Sequence, residues 1–267
     1  MKKVLIIGKR SFIGWHLNKY LQKKFRTKKI SFKELNKFKN KLHNFDFIIN
    51  LSINKNYISR KYNERFDNDL KILKLIKNHK TIYCFVSTRK VYPSKGNLSE
   101  KSKLSPKSQY SKNKVITEKK ICKILKKNFL ILRVSNIIGD TKISKRIHHT
   151  FIDIFHNNIK KGIIFDNGRS FKDFLSIDKF CQILKKIIDI KLTGTFNVSI
   201  GQKVYLNDLI KWLNKFNTKK LRIKKNINLK RESFYLNNKK LMSKIKIQNS
   251  LDELKTFCYR YSKKKFS

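Results

Sequence analysis

The chain opens with a short apolar run, Lys3-Val4-Leu5-Ile6-Ile7, that stops at Gly8 and gives way within four residues to an amphipathic segment beginning at Phe12. A β-branched run, a glycine and a helical pattern, in that order, read as strand, tight turn and covering helix. The turn is Gly8-Lys9-Arg10-Ser11-Phe12-Ile13-Gly14. Glycines at its two ends permit a sharp bend and close packing of helix on strand, and the start of the helix attracts phosphate. Loops of this kind that cradle a dinucleotide carry a third glycine where backbone approaches the pyrophosphate. Ser11 stands there instead. Its hydroxyl either contacts phosphate or its bulk weakens the site.

The remaining pattern repeats the first unit. A second candidate strand, Lys28 to Phe32, ends without the Asp or Glu that would bind the adenosine ribose of NAD. Lys33 follows it, with Arg26, Lys28 and Lys29 nearby, which tilts the expectation toward NADP, whose extra phosphate wants a cation; Glu34, one residue late, is an alternative ribose ligand. A third strand covers Phe45 to Leu51, a helix runs from Phe66 to Ile76 with Leu70, Leu73 and Ile76 on one side, and Thr81 to Ser87 and Phe129 to Val134 are nearly continuous apolar strands. Strands covered on both faces look like this. Their alternation with helices predicts an α/β, Rossmann-type doubly wound parallel sheet, which binds ligands at the carboxyl ends of its strands.

Chemistry-bearing residues gather at those ends. The fourth strand leads into Ser87-Thr88-Arg89-Lys90-Val91-Tyr92, a loop through Pro106 leads to Tyr110-Ser111-Lys112-Asn113-Lys114, and the next strand ends in Ser135-Asn136. Tyr110 and Lys114 are one helical turn apart and share a face. A tyrosine titrates near pH ~10, too high for base work at neutrality, and a cation held beside it favours the phenolate. In a Lys-rich chain the Tyr-x-x-x-Lys spacing alone arises by chance. Its position next to Thr88 in the same fold gives it weight.

Composition narrows the classes. The 267 residues include 66 Lys and Arg against 17 Asp and Glu, a net charge of +49. Such a field attracts nucleic acid, anionic lipid and phosphorylated ligands without choosing among them. The lysines are spread through the chain together with Ile and Asn, as an A/T-rich coding sequence would produce, so the charge is read first as compositional and nucleic-acid binding second. The cysteines, Cys84, Cys122, Cys181 and Cys258, are scattered, and His148, His149 and His156 lack an acidic or Cys partner at ligand spacing, so no metal site is expected. No apolar run is long enough to span a membrane, and Met1-Lys2-Lys3 runs directly into a strand; no membrane association is expected and the expected location is the cytoplasm.

Taken together these motifs resemble the extended short-chain dehydrogenase/reductase family, which includes nucleotide-sugar epimerases, dehydratases and 4-dehydrorhamnose reductases. The resemblance runs from the Gly8–Gly14 loop through Asp46 to Ser52, Asn68, Ser87-Thr88-x-x-Val91-Tyr92, Pro106-x-x-x-Tyr110-x-x-x-Lys114 and Leu132-Arg133-x-x-Asn136-x-x-Gly139. It continues through Lys172 to Asp178 and Gly194 to Gly201. It implies catalysis by Thr88, Tyr110 and Lys114. It implies NADP or NAD bound by Gly8, Ser11, Phe12, Ile13, Gly14, Lys33, Leu51, Asn68, Ser87, Tyr110 and Lys114, and a nucleotide-sugar substrate at Thr88, Tyr110, Asn136 and Lys172. The reaction would be 4-keto sugar reduction, or epimerisation through a keto intermediate. Ser11 for Gly, Lys172 for Arg and Ser52 for Ala depart from the family pattern, and Lys does not replace Arg in bidentate phosphate contacts.

The cofactor domain is expected over residues 1–142, with returning segments near 170–200, and a small substrate-binding cap over 143–267. The cap should hold one strand-like piece, Ile163 to Phe165, and helices at Asp178 to Ile188, Leu206 to Phe216 and Leu251 to Tyr261. By the same resemblance a homodimer would pair through the Tyr110 helix, to which Val115, Ile116 and Ile121 belong. The alternative from another class is a catalytically silent member acting as an RNA-binding or scaffold protein.

Overall fold

A computed structural model describes residues 1–76, 80–140, 150–229 and 233–267. His148, His149 and the expected start of the cap near Ile143 lie outside the described residues. In chain order the first half comprises β1 (Lys3–Ile7), α1 (Phe12–Leu21), β2 (Arg26–Ile30), α2 (Leu35–Phe38), β3 (Phe47–Asn50), α3 (Lys55–Ser59), α4 (Asn68–Leu73), β4 (Ile82–Thr88), β5 (Lys95–Leu98) and α5 (Gln109–Leu125). There follow β6 (Phe129–Val134), β7 (Asn136–Ile138), α6 (Phe151–Ile159), β8 (Ile163–Asp166), β9 (Phe171–Lys172), β10 (Phe174–Ser176) and α7 (Ile177–Asp189). The chain closes with β11 (Gly194–Val198), β12 (Val204–Tyr205), α8 (Leu206–Leu213), β13 (Arg222–Lys225), β14 (Ser233–Leu236), α9 (Lys239–Ile245) and α10 (Leu251–Phe266).

Six of these strands form one sheet in the order β11-β6-β4-β3-β1-β2, every pair parallel. Alternation along each strand builds two apolar layers. Val4, Ile6, Phe47, Ile49, Cys84, Leu130 and Leu132 face α1, α7 and α8, whereas Leu5, Ile7, Ile48, Tyr83, Phe85 and Ile131 face α4 and α5. The expected doubly wound parallel α/β sheet is therefore what the chain forms. A smaller four-stranded sheet, β12-β9-β14-β5, buries Phe234 and Leu236 with Val91, Tyr92 and Leu98, and β8 with β13 makes a separate two-stranded ribbon.

Several boundaries differ from expectation for physical reasons. β2 runs two residues earlier than Lys28 to Phe32, because it is an edge strand whose register is set by β1, Lys3 opposite Arg26 and Ile7 opposite Ile30. The helix expected over Phe66 to Ile76 begins at Asn68, where Asp67 caps it by accepting from the Asp69 and Leu70 amides. The C-terminal region holds more strands than Ile163 to Phe165, since β9, β12 and β14 pair with partners distant in sequence.

Candidate active site

The register of the main sheet cuts a step into its carboxyl edge. Ile7 of β1 aligns with Asn50 of β3, and Asn50 with Phe85 of β4. β4 continues for Val86, Ser87 and Thr88, with Thr88 opposite Val134 of β6. At roughly 3.3 Å per residue that is a rise of about 10 Å. The Gly8 loop and Leu51 form the lower shelf; Thr88 and Ser135 crown the upper one. The chain turns from β2 back across β1 to β3 beside this shelf, which is the switch point where open α/β sheets place ligands.

The shelf requires its glycines. Gly8 has φ +126°, and a Cβ there would lie 2.8 Å from the Leu51 carbonyl carbon. A Cβ on Gly14 would lie 2.8 Å from the Gly8 oxygen and 2.6 Å from Ser11 Oγ. The Ser11 hydroxyl caps α1: Oγ accepts from the Gly14 amide at 2.8 Å, and the Ser11 amide donates to the Gly8 carbonyl at 2.8 Å. Of the two alternatives for Ser11, this geometry adds a third role, closing the helix start. The opening amides of α1, at Phe12 and Ile13, belong to the helix end that attracts phosphate. The loop is pinned to β2 by the Gly8 and Lys9 amides, both donating to the Ile30 carbonyl.

Beyond β2, Lys33 is exposed. Glu34 folds back so that Oε2 accepts from the Ser31 amide at 2.7 Å, and the Ser31 bonds, reinforced by Lys9 and Lys37, hold its carboxyl below the ordinary range. At the end of β3, Ser52 Oγ donates to Asn50 Oδ1 at 2.6 Å and accepts from Asn68 Nδ2 at 3.1 Å. Asn68 thus braces the shelf from α4.

α5 carries Tyr110 and Lys114. Ser108 caps it by accepting from the Ser111 amide, which fixes Tyr110 in the first turn and Lys114 in the second. The Lys114 ammonium is nearly buried, donates to the Val86 carbonyl at 2.9 Å, and lies 4.1 Å from the Phe85 ring centre and 5.8 Å from that of Tyr110. Tyr57, a second phenol 5.8 Å from the ammonium, is a poor rival: burial pushes its pKa far above the ordinary value, and its hydroxyl bonds Thr117 Oγ1 at 2.7 Å. Asn113 Nδ2 donates to the Tyr57 and Arg60 carbonyls, tying α3 against α5.

Thr88 ends β4, and its Oγ1 accepts from the Lys90 amide at 3.2 Å, a bond that leaves the hydroxyl hydrogen available to a ligand. Ser87 points elsewhere, its hydroxyl donating to buried Glu118, which also holds Arg133 in a 2.7 Å ion pair. Any contribution of Ser87 to a cofactor therefore runs through its backbone. Arg133 also donates to the Tyr92 hydroxyl at 2.8 Å, and Tyr92 to Asn197 at 3.0 Å. Asn136 Nδ2 donates to the Asp173 carbonyl at 2.9 Å, which brings Asn136 to the same locus as Lys172 on β9.

Two buried carboxylates, Asp69 and Asp173, the latter within the Lys172 to Asp178 segment, have no role assigned from the sequence. Asp69 Oδ1 accepts from Asn50 Nδ2 at 2.7 Å and from the Tyr83 hydroxyl at 2.6 Å. Burial lifts it to about 6 although the Lys114 ammonium pulls the other way. Asp173, fully buried, accepts from the amides of Ile200 at 3.2 Å, Gly201 at 3.3 Å and Leu236 at 3.0 Å, knotting together three distant stretches. Among the described residues no group of His, Cys, Asp and Glu is arranged to hold a metal ion.

Residues 4–199 match the model of the NAD dependent epimerase/dehydratase family. The chain belongs to that family. A curated relative, dTDP-D-glucose 4,6-dehydratase of Dictyostelium discoideum, is 27% identical over 232 residues, covering 67% of this chain and 53% of the relative, so the chain spans about half that protein's length. The fold matches UDP-N-acetylglucosamine 4-epimerase from Methanobrevibacter ruminantium, in complex with UDP-N-acetylmuramic acid, with TM-score 0.79, 18% identity, and coverage of 98% of this chain and 97% of that one. It also matches RMD from Pseudomonas aeruginosa complexed with NADPH, with TM-score 0.76, 14% identity and 98% coverage of each chain. At such identities the likeness is one of fold. No helix among the described residues is long and apolar enough to cross a membrane.

Proposed function

We propose that the protein is a nicotinamide-dinucleotide-dependent oxidoreductase or epimerase acting on a nucleotide-activated sugar. The observation that carries this reading is the placement of the Lys114 ammonium, anchored on Val86, one helical turn from Tyr110 and beside the strand that delivers Thr88. The glycine loop fits the cofactor: a Cβ at residue 8 would strike Leu51 and one at residue 14 the Gly8 oxygen, so these glycines let the loop close tightly against β3 and α1, the turn on which a pyrophosphate would rest. Gly8, Ser11, Phe12, Ile13 and Gly14 hold the phosphates, Leu51, Asn68 and the Ser87 backbone line the shelf, and exposed Lys33 favours the phosphorylated ribose of NADP over NAD. A nicotinamide held there would supply or take up the hydride.

The side chains manage the proton. Thr88 donates to the reacting sugar oxygen and holds it against Tyr110. In oxidation Tyr110 accepts the hydroxyl proton, and in reduction it returns a proton to the nascent alkoxide, with the Lys114 ammonium held beside the ring. Asn136 and Lys172 meet the nucleotide end of the substrate. The residues serve reduction of a 4-keto sugar and epimerisation equally. The preference for NADP at Lys33 favours reduction, and a homodimer in the cytoplasm is the expected state.

The test is to wash purified protein in high salt, release bound nucleotide and identify it by absorbance and mass, then assay NAD and NADP in parallel against a panel of nucleotide sugars. Bound dinucleotide and turnover are expected. Absence of dinucleotide, together with RNA binding that falls steeply with salt, would replace this reading by an RNA-binding one.

A further inference from the structure

The two-stranded ribbon of β8 and β13 carries apolar residues on both faces. Its inner face, Ile164 and Ile223, packs against the main core. Its outer face pairs Ile163 with Arg222 and Phe165 with Lys224, in register across the two parallel strands, and all four are exposed. Phe165 is 55% exposed and Ile163 40%. The loop after β13 adds Ile227, 78% exposed, and Leu229, 41%, and it is held beside the ribbon by the Asn226 amide donating to the Asp166 carbonyl at 2.8 Å.

Isolated exposed apolar residues are common, but four gathered on one ribbon and its loop form a patch of the kind that marks an interaction surface. Cations surround it: Lys160 and Lys161 precede β8, Lys219 and Lys220 precede β13, and Arg222, Lys224 and Lys225 lie on it, all exposed. None of the seven forms an ion pair among the described residues, and Asp166 is the acidic residue on the ribbon.

We propose that this face docks on an anionic lipid surface, the cations meeting headgroups while Ile163, Phe165, Ile227 and Leu229 enter the interfacial layer. The charge complements a phospholipid surface, and each cation near such a surface adds to the attraction. Three of the four apolar residues are aliphatic, which suits an acyl boundary, whereas single-stranded nucleic acid is bound by aromatic platforms. Surface docking needs no membrane-spanning segment, since apolar burial and charge attraction together suffice. The inference stands independently of the reaction proposed for the Tyr110 site.

The test is co-sedimentation of the full chain with vesicles of phosphatidylcholine alone and of phosphatidylcholine with phosphatidylglycerol, beside poly(U) as a competitor. Binding is expected only to the anionic vesicles. The exposed double substitution Phe165→Ser/Ile227→Ser should weaken it at least tenfold with circular dichroism unchanged, and Lys224→Glu/Lys225→Glu should do likewise. Equal binding by the apolar-deficient variant would overturn the proposal, because the net charge of +49 would then adsorb the protein through any face. Absence of vesicle binding, or displacement of the protein from vesicles by poly(U) without regard to the apolar substitutions, would overturn it as well.

Discussion

The ammonium of Lys114 lies 5.8 Å from the centre of the Tyr110 ring, on the same helix and one turn away, and is anchored by the Val86 carbonyl at 2.9 Å. Tyr110→Phe should reduce kcat by about 10²–10⁴, the usual contribution of a positioned acid or base, while dinucleotide affinity stays nearly constant. Lys114→Met should also lower kcat, since the site loses the cation anchored on Val86 beside the Tyr110 ring. Steady-state kinetics alongside cofactor titration checks both; an unchanged kcat in Lys114→Met would remove Lys114 from the reaction.

Ser11 is assigned a capping role that can be separated from phosphate binding. Ser11→Ala removes the acceptor of the Gly14 amide and should cost about 1 kcal/mol of stability. Urea unfolding measures that loss, and calorimetry with the dinucleotide measures affinity. A loss of affinity much larger than the loss of stability would show that the hydroxyl serves the phosphate instead.

Gly8→Ala meets both a left-handed backbone and the Leu51 carbonyl carbon at 2.8 Å. Strain of this kind costs of order 1–3 kcal/mol before the clash is counted. The variant should melt well below the parent and lose the dinucleotide, measured by thermal scan with and without cofactor.

Glu118 and Arg133 form a buried ion pair at 2.7 Å. Glu118→Ala leaves the guanidinium uncompensated and should cost about 3–5 kcal/mol, whereas Glu118→Leu combined with Arg133→Met should recover much of the loss. Denaturant midpoints at constant slope decide it; a double variant no better than the single one would mean that the bonds to Tyr92 matter more than the charge.

Asp69 titrates in the folded protein at about 6, above its ordinary 3.8. A raised folded pKa means that the stability linked to protonation is fully present below 3.8 and lost as pH rises through about 6. Asp69→Asn keeps an oxygen where Asn50 and Tyr83 donate to Oδ1, and it removes the titration. The stability of the parent relative to this variant should therefore fall between pH 4 and pH 7. Parallel urea melts at the two pH values report it, and a constant difference would refute the assignment.

The main sheet could be read from the sequence because β1, β4 and β6 are apolar on both faces and need no partner to reveal them. The smaller sheet could not, since β5 is Lys95-Gly96-Asn97-Leu98 and is stabilised by β14, far away in the chain. The order and spacing of Thr88, Tyr110 and Lys114 were visible in the sequence, whereas the anchoring of Lys114 on the Val86 carbonyl was not. The direction of the Ser87 hydroxyl was not, because strand pleating sends it to Glu118 on α5. Asp69 looks in sequence like any acid in the first turn of a helix; its burial arises only when α4 packs over Asn50 and Tyr83.

The knot at Asp173 also orders events during synthesis. Its carboxylate waits for amides supplied by residues 200, 201 and finally 236. A nascent chain that has emerged only through β11 holds all six strands of the main sheet, yet it carries an inward acid lacking a full set of donors. Only when β14 is in place does the Asp173 carboxylate gain its Leu236 donor, so a chain ending ahead of residue 236 should lack that bond at the seam between the two sheets.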